Sequence, residues 1–473
     1  MRERHDAEGT TPTDATTAPE DATAPEGATA PEGATARPTG APTLARRITG
    51  PLLFLFILGD VLGAGIYALA GELAGEVGGA IWLPMLVALA LALLTAGSYA
   101  ELVTKYPRAG GAAVFAQRAY RAPVVGFLVG FAMLAAGVTS AAGLALAFAG
   151  EYLQTFVSVP AVPAAMGFLA LVALVNLRGI RESLGANVVM TAIELTGLLL
   201  VIVTVLLLVG SGGGDVSRAA ELRSDVAPGT AILGGAILAY YSFVGFETSA
   251  NVAEEIRDPS RVYPRALFGA LATAGILYAL VGLAAAVALP ADELAASSGP
   301  LLAVVEATGV GVPSWLFSLV ALIAVANGAL LTMIMASRVA YGMASDGLLP
   351  ATLARVLPRR RTPWVAIVAT TLVAMALTAF GDLALLAETV VLLLLLVFIS
   401  TNVAVLVLRR DRVEHDHFRI PAVVPVLGVA SCILLLTQQS GTVWALGGGL
   451  LVLGLALFGI ERLVRSRGDR RSR

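Results

Sequence analysis

Ala239-Tyr-Tyr-Ser-Phe-Val-Gly-Phe-Glu-Thr-Ser-Ala-Asn-Val-Ala-Glu-Glu-Ile-Arg-Asp-Pro-Ser-Arg-Val-Tyr-Pro264 is the stretch that decides the fold. Its first half is apolar but contains Gly245 and Glu247, and its second half ends in charged residues and prolines. An ionised side chain in the middle of a bilayer is costly, and irregular backbone is tolerated there only where it faces protein or a water-filled cavity. Glu247 therefore indicates a site inside a bundle of helices.

The composition of the whole chain predicts an all-α polytopic membrane protein. Of its 473 residues, 57% are hydrophobic and 14% are charged. Its apolar runs of about 20 residues match a hydrocarbon core about 30 Å thick. The sequence predicts twelve transmembrane helices, at 51–72, 79–103, 124–149, 161–177, 186–210, 230–252, 266–289, 313–337, 363–380, 383–408, 420–437 and 442–461.

The basic residues between these segments indicate how the chain is oriented. Loops on one side contain most of them, whereas loops on the other side contain only Arg218 and Arg223. Lysine and arginine are preferred on the cytoplasmic side of a membrane. We therefore expect a multi-pass protein of the cytoplasmic membrane with both termini in the cytoplasm.

Composition also divides the chain into three regions. Residues 1–46 are rich in Ala, Thr, Pro, Glu and Gly and contain three tandem repeats between Thr17 and Ala34. Such a segment cannot bury a core, so it predicts a disordered, low-complexity cytoplasmic tail. Residues 47–465 form the membrane domain, and residues 466–473 are predicted to form a basic cytoplasmic C-terminal tail.

The sequence contains no pattern typical of an enzyme or of a cofactor site. Cys432 is the single cysteine, and none of His5, His415 and His417 falls within an apolar segment. No nucleophile–base pair, nucleotide-binding loop or metal-ligand spacing is present. Because the basic residues are dispersed, we expect no nucleic acid partner. We also expect no cofactor, no metal and no obligate protein partner, and the lipid bilayer is the environment.

Two of the predicted helices contain glycines that favour an interruption. The first contains Gly59-Asp-Val-Leu-Gly-Ala-Gly-Ile66, and the sixth contains Ser242-Phe-Val-Gly-Phe-Glu247. Glycine is about 1 kcal/mol less favourable than alanine inside a helix, and it lets a ligand approach the backbone. The alternative is that Gly63 and Gly65 only permit close helix packing. Their corresponding places in two five-segment halves favour an inverted repeat with broken helices 1 and 6.

The ends of two such broken helices suit a zwitterionic ligand. Free N–H groups at Gly65 and Ile66, at the positive end of a helix dipole, suit a carboxylate. Carbonyl groups before the first break, and from Ser242 to Gly245, suit an ammonium group. An α-amino acid presents both groups close together, so the sequence predicts an amino acid as the ligand.

Several motifs resemble those of the amino acid–polyamine–organocation permeases. They are Gly63-Ala-Gly-Ile66, Ser242-Phe-Val-Gly-Phe-Glu247, Glu254-Glu-Ile-Arg-Asp-Pro259 with Pro264, Pro107-Arg-Ala-Gly-Gly111, Ser337-Arg338 with Asp346-Gly-Leu-Leu-Pro350, and Phe418-Arg-Ile-Pro421. The resemblance covers all twelve segments and implies the five-plus-five inverted-repeat (LeuT-like) fold.

The resemblance also implies which residues bind the substrate. Its carboxylate would be bound at Gly63, Ala64, Gly65 and Ile66. Its amine would be bound at Tyr241, Ser242, Phe243, Val244 and Gly245. Tyr241 lies where the family's arginine/agmatine exchanger has a tryptophan gate, and Glu247 matches that exchanger's acidic residue.

Four polar residues are predicted to handle a coupling ion. Glu194 lies where bacterial permeases similar to cationic amino acid transporters carry a lysine thought to mimic sodium. Asp60 is acidic where those relatives are usually neutral, and Asn327 lies where sodium-coupled relatives of the fold place ion ligands. Together with Glu247 these residues lie at comparable depth, so we expect one layer. Neighbouring carboxylates repel, so at least one should be protonated or hold a cation.

We therefore expect a permease, a secondary active amino acid transporter that works by alternating access and is coupled to a proton, by symport or antiport. Residues 47–465 would form its transporter domain. The alternatives are a polyamine or cationic amino acid exchanger, a sodium-coupled symporter and a non-transporting amino acid sensor. The expected partners are an amino acid, a proton or sodium ion, and the lipid bilayer.

Overall fold

The computed structural model of the chain describes residues 48–62, 65–107, 111–178, 184–358, 360 and 362–471. Within these ranges the regular structure consists of α-helices and three short 3₁₀ helices, together with two isolated β-bridges. The prediction of an all-α protein is confirmed. The predicted tail 1–46 and two predicted site residues, Gly63 and Ala64, lie outside the described residues, as do Ser472 and Arg473 of the predicted C-terminal tail.

The helices follow one another along the chain in short succession. They are α1 Gly50–Leu62, α2 Gly65–Val77, α3 Trp82–Lys105, α4 Gly111–Tyr120, α5 Pro123–Phe148, α6 Glu151–Gln154, α7 Ala161–Arg178, α8 Leu184–Gly210, α9 Pro228–Tyr241, α10 Pro259–Ala288, α11 Ala291–Ala296, α12 Pro300–Ala307, α13 Ser314–Ser345, α14 Trp364–Phe380, α15 Leu383–Leu408, α16 Val423–Thr437 and α17 Gly441–Arg471. The 3₁₀ helices are Val216–Ala220, Phe246–Glu255 and Ala351–Ala354.

The lengths and composition of these helices confirm a polytopic membrane protein. Among the described residues, nine helices are long and apolar enough to cross a bilayer, or ten if α1 and α2 count as one bent span. The shorter apolar helices α14 and α16 have 17 and 15 residues. At 1.5 Å per residue they are roughly 25 Å and 22 Å long, which is less than a core about 30 Å thick. Twelve spans and an inverted repeat therefore stay predictions.

Both predicted interruptions fall where a described helix ends. Helix α1 ends at Leu62 and α2 begins at Gly65, and their axes differ by 41°. Helix α9 ends at Tyr241, and after a turn the chain continues as the 3₁₀ helix Phe246–Glu255. Gly245 connects the two parts with φ 123°, a conformation that strains any residue with a Cβ. The sixth segment is therefore half α-helix and half 3₁₀ helix.

Helix α5 forms the buried wall on which the site is built. Every residue from Phe131 to Ala145 is buried, and α5 packs against α13 and α15. An ideal Cβ at Gly137 would lie 3.2 Å from the Ala336 Cβ, so α5 and α13 approach closely. Small residues allow such close contacts between helices in membranes. The pair forms a tightly packed support for the site.

A carboxylate ties together the end of the bundle at which α5 finishes. Glu151 begins α6, and its side chain accepts a hydrogen bond from the Ser297 hydroxyl at 2.6 Å. It also accepts the main-chain N–H groups of Ser298 and Gly299, each at 3.2 Å. Three donors therefore hold the segment between α11 and α12 against α6.

A second carboxylate organises the opposite end, beyond the last residue of α15. Asp411 accepts a hydrogen bond from the Tyr106 hydroxyl at 2.7 Å and one from Arg118 at 2.9 Å. The Arg118 guanidinium lies 4.0 Å from the centre of the Tyr106 ring. The hydrogen bond from Tyr106, followed by that from Arg118, lowers the pKa of Asp411 from its usual value of 3.8.

Candidate functional site

A cavity of about 580 Å³ lies where the two interrupted segments meet. Helices α5 and α13 form much of its wall, and along α13 it extends from Gly328 to Asp346. Seven of the predicted site residues line it: Asp60, Gly65, Tyr241, Ser242, Val244, Gly245 and Glu247. The structure therefore gathers most of the described predicted residues around one cavity.

The backbones of the two interruptions are in direct contact. An ideal Cβ at Gly65 would lie 2.7 Å from the Ser242 Cα. One at Gly245 would lie 2.7 Å from the main-chain oxygen of Asp60. Optimal contacts between carbon atoms are about 3.5–4.0 Å long, so neither position has room for a side chain. Glycine is needed here because two backbones meet at each position.

Tyr278 links the two interruptions by hydrogen bonds. Its hydroxyl lies 2.6 Å from the main-chain oxygen of Val61 and 3.1 Å from that of Ser242, and it donates its proton to this pair. The side chain is fully buried in α10. Tyr278 is not among the residues predicted from the sequence, where its one signal is a hydroxyl inside an apolar segment.

This link corrects the expectation of free carbonyl groups at both breaks. The carbonyls of Val61 and Ser242 already accept the Tyr278 hydroxyl, and that of Gly245 accepts the N–H of Thr248 at 3.0 Å. The reason is that buried carbonyl groups are costly unless they are hydrogen-bonded. A carbonyl oxygen has two lone pairs, so each can still accept a ligand ammonium group.

The hydroxyl of Ser242 is the polar group at the cavity that most clearly lacks a partner. Ser242 is 1% exposed and lines the cavity. Its Oγ makes no hydrogen bond to any residue that the structure describes. Leaving a buried hydroxyl without a partner costs about 1–3 kcal/mol. A polar ligand in the cavity would satisfy it.

Two carboxylates lie on either side of Gly245. The N–H of Gly245 donates to Glu247 Oε2 at 2.9 Å, and Glu247 is 2% exposed. On the other side, the Thr248 hydroxyl donates a hydrogen bond to Asp60 Oδ2. Both acids therefore interact with the second interruption, and both line the cavity.

Glu194 and Asn327 form a hydrogen-bonded pair outside the cavity lining, and the expectation of one layer of four residues stays a prediction. Asn327 Nδ2 donates to Glu194 Oε1 at 3.0 Å. Glu194 Oε2 is buried and makes no hydrogen bond within the described part of the chain. Neither residue belongs to the cavity lining. The two side chains meet between α8 and α13, whereas Asp60 and Glu247 make hydrogen bonds at the turn around Gly245.

Ile66 and Phe243, two predicted substrate contacts, are also outside the cavity lining. Both are fully buried. The Phe243 ring packs edge-on against the Tyr278 ring, with the ring centres 5.4 Å apart. The turn after α9 thus directs Phe243 towards α10, where it supports Tyr278. Tyr241 lines the cavity as expected, and its hydroxyl lies 2.9 Å from that of Ser140.

The chain is similar in sequence to known transport proteins over most of its length. Residues 50–446 match the model of the amino acid permease family. The chain is 31% identical to an uncharacterized transporter of Mycobacterium tuberculosis (strain ATCC 25618 / H37Rv) over 91% of this chain and 94% of the relative. It is 29% identical to the vacuolar cationic amino acid transporter 4 of Arabidopsis thaliana over 78% and 64%. It is 25% identical to a branched-chain amino acid permease of Bacillus subtilis (strain 168) over 85% and 90%. The chain therefore belongs to the amino acid permeases of the amino acid–polyamine–organocation superfamily.

Proposed function

We propose that this permease is a secondary active transporter of the cytoplasmic membrane that works by alternating access and couples amino acid movement to a proton. The observation that carries the proposal is the cavity lined by both interruptions. At its wall lies the hydroxyl of Ser242, which makes no hydrogen bond within the described residues. Interrupted helices beside a substrate cavity are typical of such carriers. Twelve spans in a five-plus-five inverted repeat are part of the same proposal.

The cavity supports an inward-facing state. Along α13 it extends past Arg338 to Asp346, at the helix end for which the distribution of basic residues predicts the cytoplasmic side. At the other end of the bundle, Glu151 is hydrogen-bonded to the segment that contains Ser297. A cavity that reaches one end of the bundle, with a hydrogen-bonded contact at the other end, supports one of the two states that alternating access requires.

The coupling proton would be carried by the carboxylates of the site. Glu247 is the first candidate because it is buried, lines the cavity and contacts the interruption through Gly245. Asp60 would share the proton because its carboxylate accepts a hydrogen bond from Thr248 in the same turn. Glu194 is the second candidate, since Oε2 makes no hydrogen bond within the described residues. A carboxylate that gains and loses a proton changes the charge of the site in each cycle.

The test is uptake of labelled amino acid into proteoliposomes driven by a pH gradient. We expect Glu247→Gln or Glu194→Gln to abolish accumulation against a gradient while exchange between the two sides continues. Glu293→Gln is the control because Glu293 is exposed on α11, and it should behave like the wild type. Full pH-driven accumulation in both cavity-region variants would overturn proton coupling. Failure of the wild type to move any amino acid would overturn the transport function itself.

Sodium coupling through Asp60, Glu194 and Asn327 is the alternative for the ion. It predicts that uptake falls when choline replaces sodium at constant pH, whereas the proton proposal predicts no change.

The relatives' names point to different substrates, since one names cationic and another branched-chain amino acids. The side chain of the substrate must therefore be inferred from the cavity of this chain.

A further inference from the structure

We propose that the cavity selects a neutral amino acid with an apolar aliphatic or thioether side chain, and not a cationic amino acid or a polyamine. The inference rests on the proposed transport function and adds the substrate class. It depends on which groups line the cavity beyond the two interruptions and on whether any charge there is available to a ligand.

The wall facing the interruptions is apolar. Three helices contribute to it, α5, α13 and α15, with the side chains of Met133, Ala136, Leu331, Met335, Val390 and Leu394. A substrate whose α-amino and carboxylate groups bind at the interruptions would direct its side chain towards this wall. Burial of an apolar side chain of the size of leucine or methionine contributes about 1.5–3 kcal/mol.

The polar groups on this wall are already hydrogen-bonded within the protein. The hydroxyls of Ser140 and Tyr241 lie 2.9 Å from each other. The Thr332 hydroxyl donates to the main-chain oxygen of Gly328 at 2.7 Å. These groups therefore have less need of a polar substrate side chain than the hydroxyl of Ser242, which lies at the interruption.

The acidic groups of the cavity lie at the interruptions, where the substrate ammonium group would bind, or just beyond the end of α13. Asp60 and Glu247 interact with the turn around Gly245. Asp346 is 14 residues beyond Thr332 on α13, which corresponds to roughly 21 Å along the helix. A buried charge without a partner is costly, so arginine, lysine and putrescine are disfavoured.

A panel of ligands tests the proposal directly. The purified full-length chain is heated in detergent with leucine, methionine, arginine, lysine, putrescine or glutamate, and the same compounds compete for uptake in proteoliposomes. We expect leucine and methionine to stabilise the protein and to compete at least tenfold better than the charged compounds. Equal or better competition by a charged compound would overturn the substrate class but leave transport intact. No effect of any amino acid in either assay would overturn both.

A gain-of-function pair makes the test independent of the wild-type substrate. Thr332→Asp places a carboxylate on the apolar wall, whereas Thr332→Asn gives nearly the same shape without the charge. We expect only Thr332→Asp to gain competition by arginine and lysine, by tenfold or more. If both variants gain competition by arginine and lysine, or if both variants fold and neither gains it, the wall does not set the charge preference. Either result would overturn the proposal.

Discussion

The hydroxyl of Tyr278 offers the sharpest test of how the two broken helices are held together. The substitution Tyr278→Phe removes one oxygen atom and leaves the ring, which still packs against Phe243. It also removes the donor that lies 2.6 Å from the Val61 carbonyl and 3.1 Å from the Ser242 carbonyl. Because one proton is shared by two acceptors, the loss corresponds to one buried hydrogen bond.

The expected magnitude follows from this count. Leaving a buried acceptor unsatisfied costs about 1–3 kcal/mol, which corresponds to roughly 5- to 150-fold in an equilibrium constant. Since both carbonyls belong to the interruptions that would hold the substrate ammonium group, we expect the loss to weaken substrate binding. Tyr278→Phe should therefore raise KM for uptake by at least fivefold and lower the apparent melting temperature by a few degrees.

Tyr120→Phe is the matched control for this substitution. The Tyr120 hydroxyl also donates to a main-chain oxygen, that of Ser400 at 2.8 Å, but it joins α4 to α15 outside the cavity lining. We expect it to lower the melting temperature without changing KM. Uptake kinetics and melting curves of both variants are measured in parallel. A wild-type KM in a folded Tyr278→Phe variant would refute the argument that Tyr278 positions the site.

Two further predictions concern the turn and the end of the bundle. Gly245→Ala should prevent folding or transport, because φ 123° costs about 1–3 kcal/mol and the new Cβ would lie 2.7 Å from the Asp60 main-chain oxygen. Size-exclusion chromatography compares it with Gly229→Ala, which has open space around the new Cβ and should behave normally. Asp411→Asn should lower the melting temperature slightly at neutral pH. The free energy of unfolding should fall by no more than about 1 kcal/mol, because Asp411 is partly exposed. The pKa of Asp411 in the folded protein is lowered, chiefly by the hydrogen bond from Tyr106. The stabilisation is therefore complete above pH 3.8, the usual pKa of the group, and is lost as the pH falls through the lower pKa of the folded state. Melting curves of variant and wild type should therefore converge in acid, and a constant offset would contradict this.

The sequence was sufficient to locate the interruptions because they depend on local chemistry. Gly65 and Gly245 stand out in apolar segments, and a carboxylate such as Glu247 needs an interior site wherever the neighbouring helices lie. These features are encoded within a few consecutive residues. The polytopic helical class was predictable for the same reason, since the length and hydrophobicity of each run can be read independently.

The partners across the bundle could not be predicted in the same way. Tyr278 and Phe243 meet only because α10 packs beside the turn after α9, and no spacing in the sequence encodes that contact. Likewise, depth along a helix predicts which residues share a layer but not which side of the helix they occupy. The hydrogen bond between Asn327 and Glu194 therefore could not be predicted from depth alone.

The hydrogen bonds of Glu151 bear on the relative populations of the two conformations proposed for the carrier. Opening the bundle at that end would detach the carboxylate from Ser297 and from two main-chain N–H groups. If water replaced these hydrogen bonds with a net loss of about 3 kcal/mol, about one molecule in 150 would adopt the opposite conformation. Under the proposed alternating access, the empty permease would mainly occupy the conformation whose cavity extends to Asp346. The substitution Glu151→Gln would weaken this contact and lower the population of that conformation without changing the cavity lining.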